Sequence, residues 1–204
     1  MKKDIDMNLG EPIEVTQQIA QIFERLSIPY LVGGSLASSL HGIPRATQDV
    51  DIVADIKPNQ VVSLVSALKT KFYIDADMIR EAIRNRSSFN IIHLATVFKV
   101  DIFVLKPDQA SQQEMIRREQ YQVSDNPQDQ LYLATAEDVI IHKLYWYQMS
   151  GSSSERQWND VLGVIQVQSD QLDYAYLKQT AQQRGVSGLL EKILKDATTS
   201  EFNR

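Results

Sequence analysis

The segment Asp49-Val50-Asp51-Ile52-Val53-Ala54 begins by alternating acidic and apolar side chains. A period of two is that of a strand, and residues two apart project from one face, so Asp49 and Asp51 present two carboxylates side by side. Hard cations such as Mg2+ bind through one or two protein carboxylates together with substrate phosphates, which this pairing suits. A lone pair of this kind is equally a solvated strand edge, and two further features shift the balance toward chemistry. Upstream, Tyr30 to Val32 reads as a short strand entering Gly33, Gly34 and Ser35, with Ser35 placed to cap a short helix reaching His41. A glycine bend at a helix start gathers backbone N–H groups at one spot, an anion site fit for a triphosphate, although a Gly-Gly pair alone also serves as a tight turn. Downstream, Asp101 interrupts the apolar run of Val100, Ile102, Phe103 and Val104. A carboxylate in a core strand is costly unless it is paired, hydrogen-bonded or on metal. Lys99 shares its face, so a Lys99–Asp101 pair is the structural alternative, which the presence of Asp49 and Asp51 disfavours.

Taken together, Val32 to Ser35, thirteen intervening residues, the Asp49-to-Ile52 run and the later Lys99-Val100-Asp101-Ile102 strand resemble the signature of the polymerase β nucleotidyltransferase superfamily. Within it, the stretch from Gly33 to Asp55 most resembles the bacterial group that includes AbiEii-type abortive-infection toxins. The resemblance covers roughly residues 30 to 104. It implies an α/β (α+β) fold, a mixed sheet flanked by helices with a helical C-terminal domain. It also implies that Gly33, Gly34 and Ser35 cradle a nucleoside triphosphate, ATP among the candidates, and that Asp49 and Asp51 bind Mg2+ or Mn2+. Asp101 would complete the metal site and help deprotonate an acceptor hydroxyl. Arg45 and Thr47 would lie near the nucleotide, with a loop salt bridge as the other reading of Arg45. Lys143 and Asp160, from the helical region, would also serve the nucleotide. Both sit among apolar helical neighbours, so a Lys143–Asp160 ion pair across two helices is the alternative.

The elements that must position these residues follow from periodicity. Ile13, Ile19, Ile22, Phe23 and Leu26 recur at helical spacing after Pro12, and residues 61 to 72 and 77 to 86 read as further helices. Residues 88 to 94 and 97 to 105 read as an antiparallel strand pair, followed by a helix near 110 to 118 and a polar loop at 124 to 129. That loop is the expected boundary between a nucleotidyltransferase domain, residues 1–130, and a helical domain, residues 131–204. The helical part opens with capping signals at Thr135/Asp138 and Ser152/Glu155, and two more helices part near Gly185.

Composition narrows the function. With 204 residues and 43% hydrophobic content the chain can bury a sizeable core. It has no cysteine, so disulfides, thiolate metal sites and cysteine nucleophiles are excluded. No apolar run has the length of a bilayer span, and the expected location is the cytoplasm, without a membrane partner. A net charge of −5 argues against coating nucleic acid through the overall field, leaving local contacts. Arg80, Arg84 and Arg86 are either such a basic patch or the wet face of a helix. His41, His93 and His142 form no ligand cluster, and Tyr145, Trp146, Tyr147 and Trp158 read as helix packing. The expected activity is transfer of a nucleotide from a nucleoside triphosphate to a hydroxyl, with pyrophosphate leaving. The expected acceptor is RNA in a toxin–antitoxin setting, with an antitoxin protein as a partner. A small-molecule acceptor of the antibiotic type, or a catalytically silent binding module, are the alternatives.

Overall fold

The computed structural model describes residues 10–126 and 129–201. The N-terminal stretch and Pro127 and Gln128 of the 124–129 loop lie outside the described residues. The elements in chain order are α1 (Gly10–Arg25), β1 (Tyr30–Val32), α2 (Gly34–His41), β2 (Asp49–Ala54), α3 (Val61–Leu68), β3 (Phe72–Tyr73), α4 (Ala76–Asn85), β4 (Ser88–His93), β5 (Lys99–Val104), α5 (Gln109–Arg117), β6 (Glu119–Gln122), β7 (Gln130–Leu133), α6 (Ala136–Met149), α7 (Glu155–Gln168), α8 (Tyr174–Arg184) and α9 (Ser187–Glu201). They fall into two compact units, the first comprising residues 1–36 and 45–134, the second residues 37–44 and 135–204.

The first unit is built on a mixed seven-stranded sheet of order β3-β4-β5-β2-β1-β7-β6. β2 is central, antiparallel to β1 and parallel to β5, while β5 and β4 form the expected antiparallel pair. One face of the centre is apolar: Val50, Ile52, Ala54, Val100, Ile102 and Val104 are all fully or almost fully buried. Burying a Val or Ile side chain contributes about 1.5–3 kcal/mol, so this face fixes the register, because a one-residue slip would carry it into water. The same register fixes which side chains stand on the opposite face. α1 meets the sheet through Ile13, Ile19 and Phe23 and packs against α3, which packs against α4.

Three strands escape a reading of local pattern. α3 stops at Leu68 and Phe72 crosses into the sheet as the two-residue strand β3, paired with His93. β6 and β7 lie in the Gln-rich stretch; only Leu131 and Leu133 of β7 turn fully inward, and β7 runs parallel beside β1. Such short strands are defined by their partners rather than by their own sequence.

The second unit is helical among its described residues. Thr135 caps α6 by accepting from the Asp138 backbone N–H, and Asp138 in turn accepts from the Tyr176 hydroxyl at 2.6 Å. α7 starts later than its sequence signal, with Ser154 and not Ser152 as cap. Gly185, in the left-handed conformation at φ 71°, closes α8.

β1 is anchored at its start by Tyr30, 1% exposed, whose hydroxyl donates to Glu24 Oε1 at 3.1 Å. Burial raises its pKa well above the ordinary phenol value. The unfolded chain therefore loses this proton first, so the stabilisation is complete below about pH 10 and falls as pH climbs toward the folded value. Tyr30→Phe should cost about 1 kcal/mol near neutrality through the lost hydrogen bond. Urea unfolding of that variant across the alkaline range should show a shallower decline than the wild type, reduced and not abolished, since burial pushes Tyr121 the same way.

Candidate functional site

Because β2 and β5 run parallel in register, Asp49 stands opposite Lys99 and Asp51 opposite Asp101. Along β2 and β5 the residues alternate between buried and open, and Asp49, Asp51, Lys99 and Asp101 all belong to the open face. Phe103, which made Asp101 look embedded in an apolar run, is on this open face too and is 39% exposed. Asp101 is therefore not a core carboxylate but part of an acidic row on the sheet surface. Lys99 Nζ lies 2.7 Å from Asp101 Oδ2, so the Lys99–Asp101 pair and the acidic row coexist. The hydrogen bond to Asp101 raises the Lys99 pKa, partial burial opposes this, and the charges of Asp101, Asp49 and Asp51 add to it.

The glycine bend reaches the same spot. Gly33 N–H donates to the Asp51 carbonyl at 2.9 Å, extending the β1–β2 ladder by one rung. Gly34 turns left-handed at φ 56° and starts α2; a Cβ built on it would lie 1.9 Å from Asp51 Oδ2. Only a residue without a side chain lets the bend lie directly on that carboxylate. Ser35, within the first turn of α2, accepts from Arg45 Nη2 at 2.8 Å, and Arg45 also donates to the Ala46 carbonyl. Arg45 is thereby held at the start of the helix. Thr47 donates to the Asp49 carbonyl at 2.9 Å and tightens the entry to β2.

The donor set fits a hard divalent cation, since it offers carboxylate oxygens on neighbouring strands beside the glycine bend that starts α2. Among the described residues no three acidic or histidine side chains are already drawn into a cage. Asp101 is turned toward Lys99, and ions of this type complete their coordination with water and substrate phosphates.

The remaining sequence candidates stand elsewhere. Lys143 and Asp160 belong to the second unit, 2.7 Å apart with both side chains 6% exposed, and Gln157 Oε1 accepts a further hydrogen bond from the ammonium. Arg80 pairs with Asp77 at 2.7 Å and Arg86 donates to the Leu105 carbonyl, so two of the three arginines serve local structure. His93 hydrogen-bonds Thr96 and packs on Phe72. Trp158 stacks near Tyr147 as helix packing, whereas Trp146 is 56% exposed. One neighbour passed over in the sequence is Asn90, which pairs with Asp101 across β4–β5 and is exposed, its amide making no side-chain hydrogen bond among the described residues. Its signal was the polar middle of the Ser88–His93 strand.

No protein-family model matches the chain, and no curated protein matches it in sequence. Solved structures do match its architecture, and the class they define is the nucleotidyltransferase fold. The solution structure of the antibiotic-resistance factor ANT(2'')-Ia superposes with a TM-score of 0.53 at 8% identity, over 95% of this chain and 98% of that one. The crystal structure of ANT(2")-Ia in complex with adenylyl-2"-tobramycin gives 0.54 at 11% identity, over 85% and 97%. An antigenic nucleotidyltransferase-like protein from Paracoccidioides brasiliensis gives 0.54 at 16%, over 91% and 93%. At these identities the likeness is one of fold. No helix among the described residues is long and apolar enough to cross a membrane.

Two measurements probe this geometry. Gly34→Ala should lose about 1–2 kcal/mol in chemical unfolding, because the methyl meets the Asp51 carboxylate and alanine resists the left-handed backbone. Lys143→Met should lose about 3 kcal/mol by taking the ammonium away from the buried Asp160 carboxylate, and Lys143→Met combined with Asp160→Leu should recover most of that loss.

Proposed function

We propose that this protein is a metal-dependent nucleotidyltransferase, moving a nucleotide from a nucleoside triphosphate to a hydroxyl acceptor with pyrophosphate as the leaving group. The observation that carries this reading is the juxtaposition of Asp51 with Asp101 across β2–β5, with Gly34 packed against the Asp51 carboxylate. In the proposal Asp49, Asp51 and Asp101 hold the ion, and Asp101 takes the proton of the acceptor hydroxyl. Mg2+ or Mn2+, when bound, neutralises phosphate oxygens and stabilises the attacking and leaving oxygens of an in-line displacement. Gly33, Gly34 and Ser35 cradle the triphosphate at the start of α2, with Arg45 beside them, Gly33 shaping the bend while its own N–H stays on the Asp51 carbonyl. Arg45 offers a planar fork to the phosphate oxygens. Lys143 and Asp160, which the sequence resemblance links to the nucleotide, enter as the brace joining α6 and α7.

For the acceptor, the reading best supported is a small hydroxylated molecule. The likeness to ANT(2'')-Ia runs nearly the whole length of both chains, and that protein was solved with adenylyl-2"-tobramycin. Two arginines of the supposed basic patch are engaged locally, and the net charge of −5 does not favour a polyanion. An RNA acceptor in a toxin–antitoxin setting rests on the motif flanks of the sequence and its helical C-terminal part.

The test is incubation with labelled nucleoside triphosphates and Mg2+ in the presence of either an aminoglycoside panel or total RNA. Label in the small-molecule fraction is expected, label in RNA would reassign the acceptor, and nucleotide binding without transfer to either would mark a silent binding module. Asp49→Asn and Asp51→Asn should each lower transfer by about a thousandfold, the equivalent of several kcal/mol of barrier, with thermal unfolding little changed. Full activity in either variant would overturn the metal assignment.

A further inference from the structure

Lys99 sits in an unusual place for a cation. On β5 it stands opposite Asp49 of β2, and its other cross-strand neighbour is the apolar Ile92 of β4. Its ammonium bends along its own strand to Asp101, 2.7 Å away, and so removes from the acidic row the carboxylate that faces Asp51. Like charges on adjacent strands destabilise a sheet, and Lys99 gives Asp101 a counter-charge before any ion arrives. The only requirement on that counter-charge is that it can leave. The Lys99 side chain is 44% exposed and its partner 23%, which is the setting of a weak, readily exchanged ion pair.

We propose that Lys99 is a built-in substitute for the divalent ion: its ammonium holds Asp101 while the site is metal-free and surrenders it when Mg2+ or Mn2+ loads. This inference rests on the reading of the acidic row as a metal site and adds a residue that sets the occupancy of that site. A lysine that must be displaced lowers the apparent metal affinity by the fraction of molecules in which Asp101 is already held. The protein then loads its ion at a concentration set by the Lys99–Asp101 pair, while in the metal-free fold Asp101 keeps a counter-charge.

The experiment is Mn2+ titration by calorimetry, with and without ATP, alongside thermal unfolding in chelator and in excess Mn2+. It uses the wild type, Lys99→Met and Lys99→Arg, with Lys99→Gln as a second neutral variant. The neutral variants should bind Mn2+ about two- to fivefold more tightly than the wild type, the scale of a lost competing surface pair. They should also melt lower than the wild type in chelator and gain more from Mn2+, and Lys99→Arg should restore wild-type behaviour in both. If neutral variants bind Mn2+ no more tightly than a wild type that does bind it, the substitution role is wrong while the metal site stands. If the wild type takes up no Mn2+ with or without ATP, the site reading fails and this inference with it.

Discussion

Parallel pairing of β2 with β5 is the constraint on which the rest of the site depends. Two strands far apart in sequence are locked in register by Val50, Ile52, Val100 and Ile102, all fully buried on one side of the sheet. The opposite side inherits that register without choosing it, and three carboxylates are thereby held as neighbours. Apolar packing thus supplies the free energy that keeps like charges adjacent, a division of labour between the two faces of one pair of strands. The chemistry is exposed and the enforcement is hidden.

The bend at Gly33 and Gly34 completes this arrangement because it is tied to the same strand twice. The Gly33 N–H binds the Asp51 carbonyl, and Gly34 occupies the space beside the Asp51 carboxylate. Backbone and side chain of one aspartate therefore fix where the first turn of α2 begins. Arg45 reaches Ser35 in that turn from the connecting loop. The start of α2 and the Asp51 carboxylate are thereby held against one another.

Much of this was legible in the chain. The Asp49–Ala54 strand, the Ser88–Val104 hairpin and the helices of the second unit carry periodicities that their surroundings reinforce, and these elements match closely. β3, β6 and β7 were not legible because two to four residues rich in Gln and Tyr carry too little pattern, and only pairing partners make them strands. Asp101 was misplaced in depth: Phe103 was counted as inward, and an exposed aromatic in a central strand breaks the inference from an apolar run. Lys99 and Asp101 were visible as a pair, and Asp51 and Asp101 as metal ligands. That Asp101 both pairs with Lys99 and stands opposite Asp51 depends on the β2–β5 register, which is a property of the tertiary fold.

The separation of the paired strands has a kinetic consequence. Asp51 and Asp101 become neighbours only when segments about fifty residues apart zip together in parallel, with α3, β3, α4 and β4 closing the loop between them. Non-local parallel pairing comes late because the entropy of loop closure must be overcome before contacts reward it. The acids are thus strangers through the early stages of chain collapse, and the acidic row arises in the same step that commits the sheet.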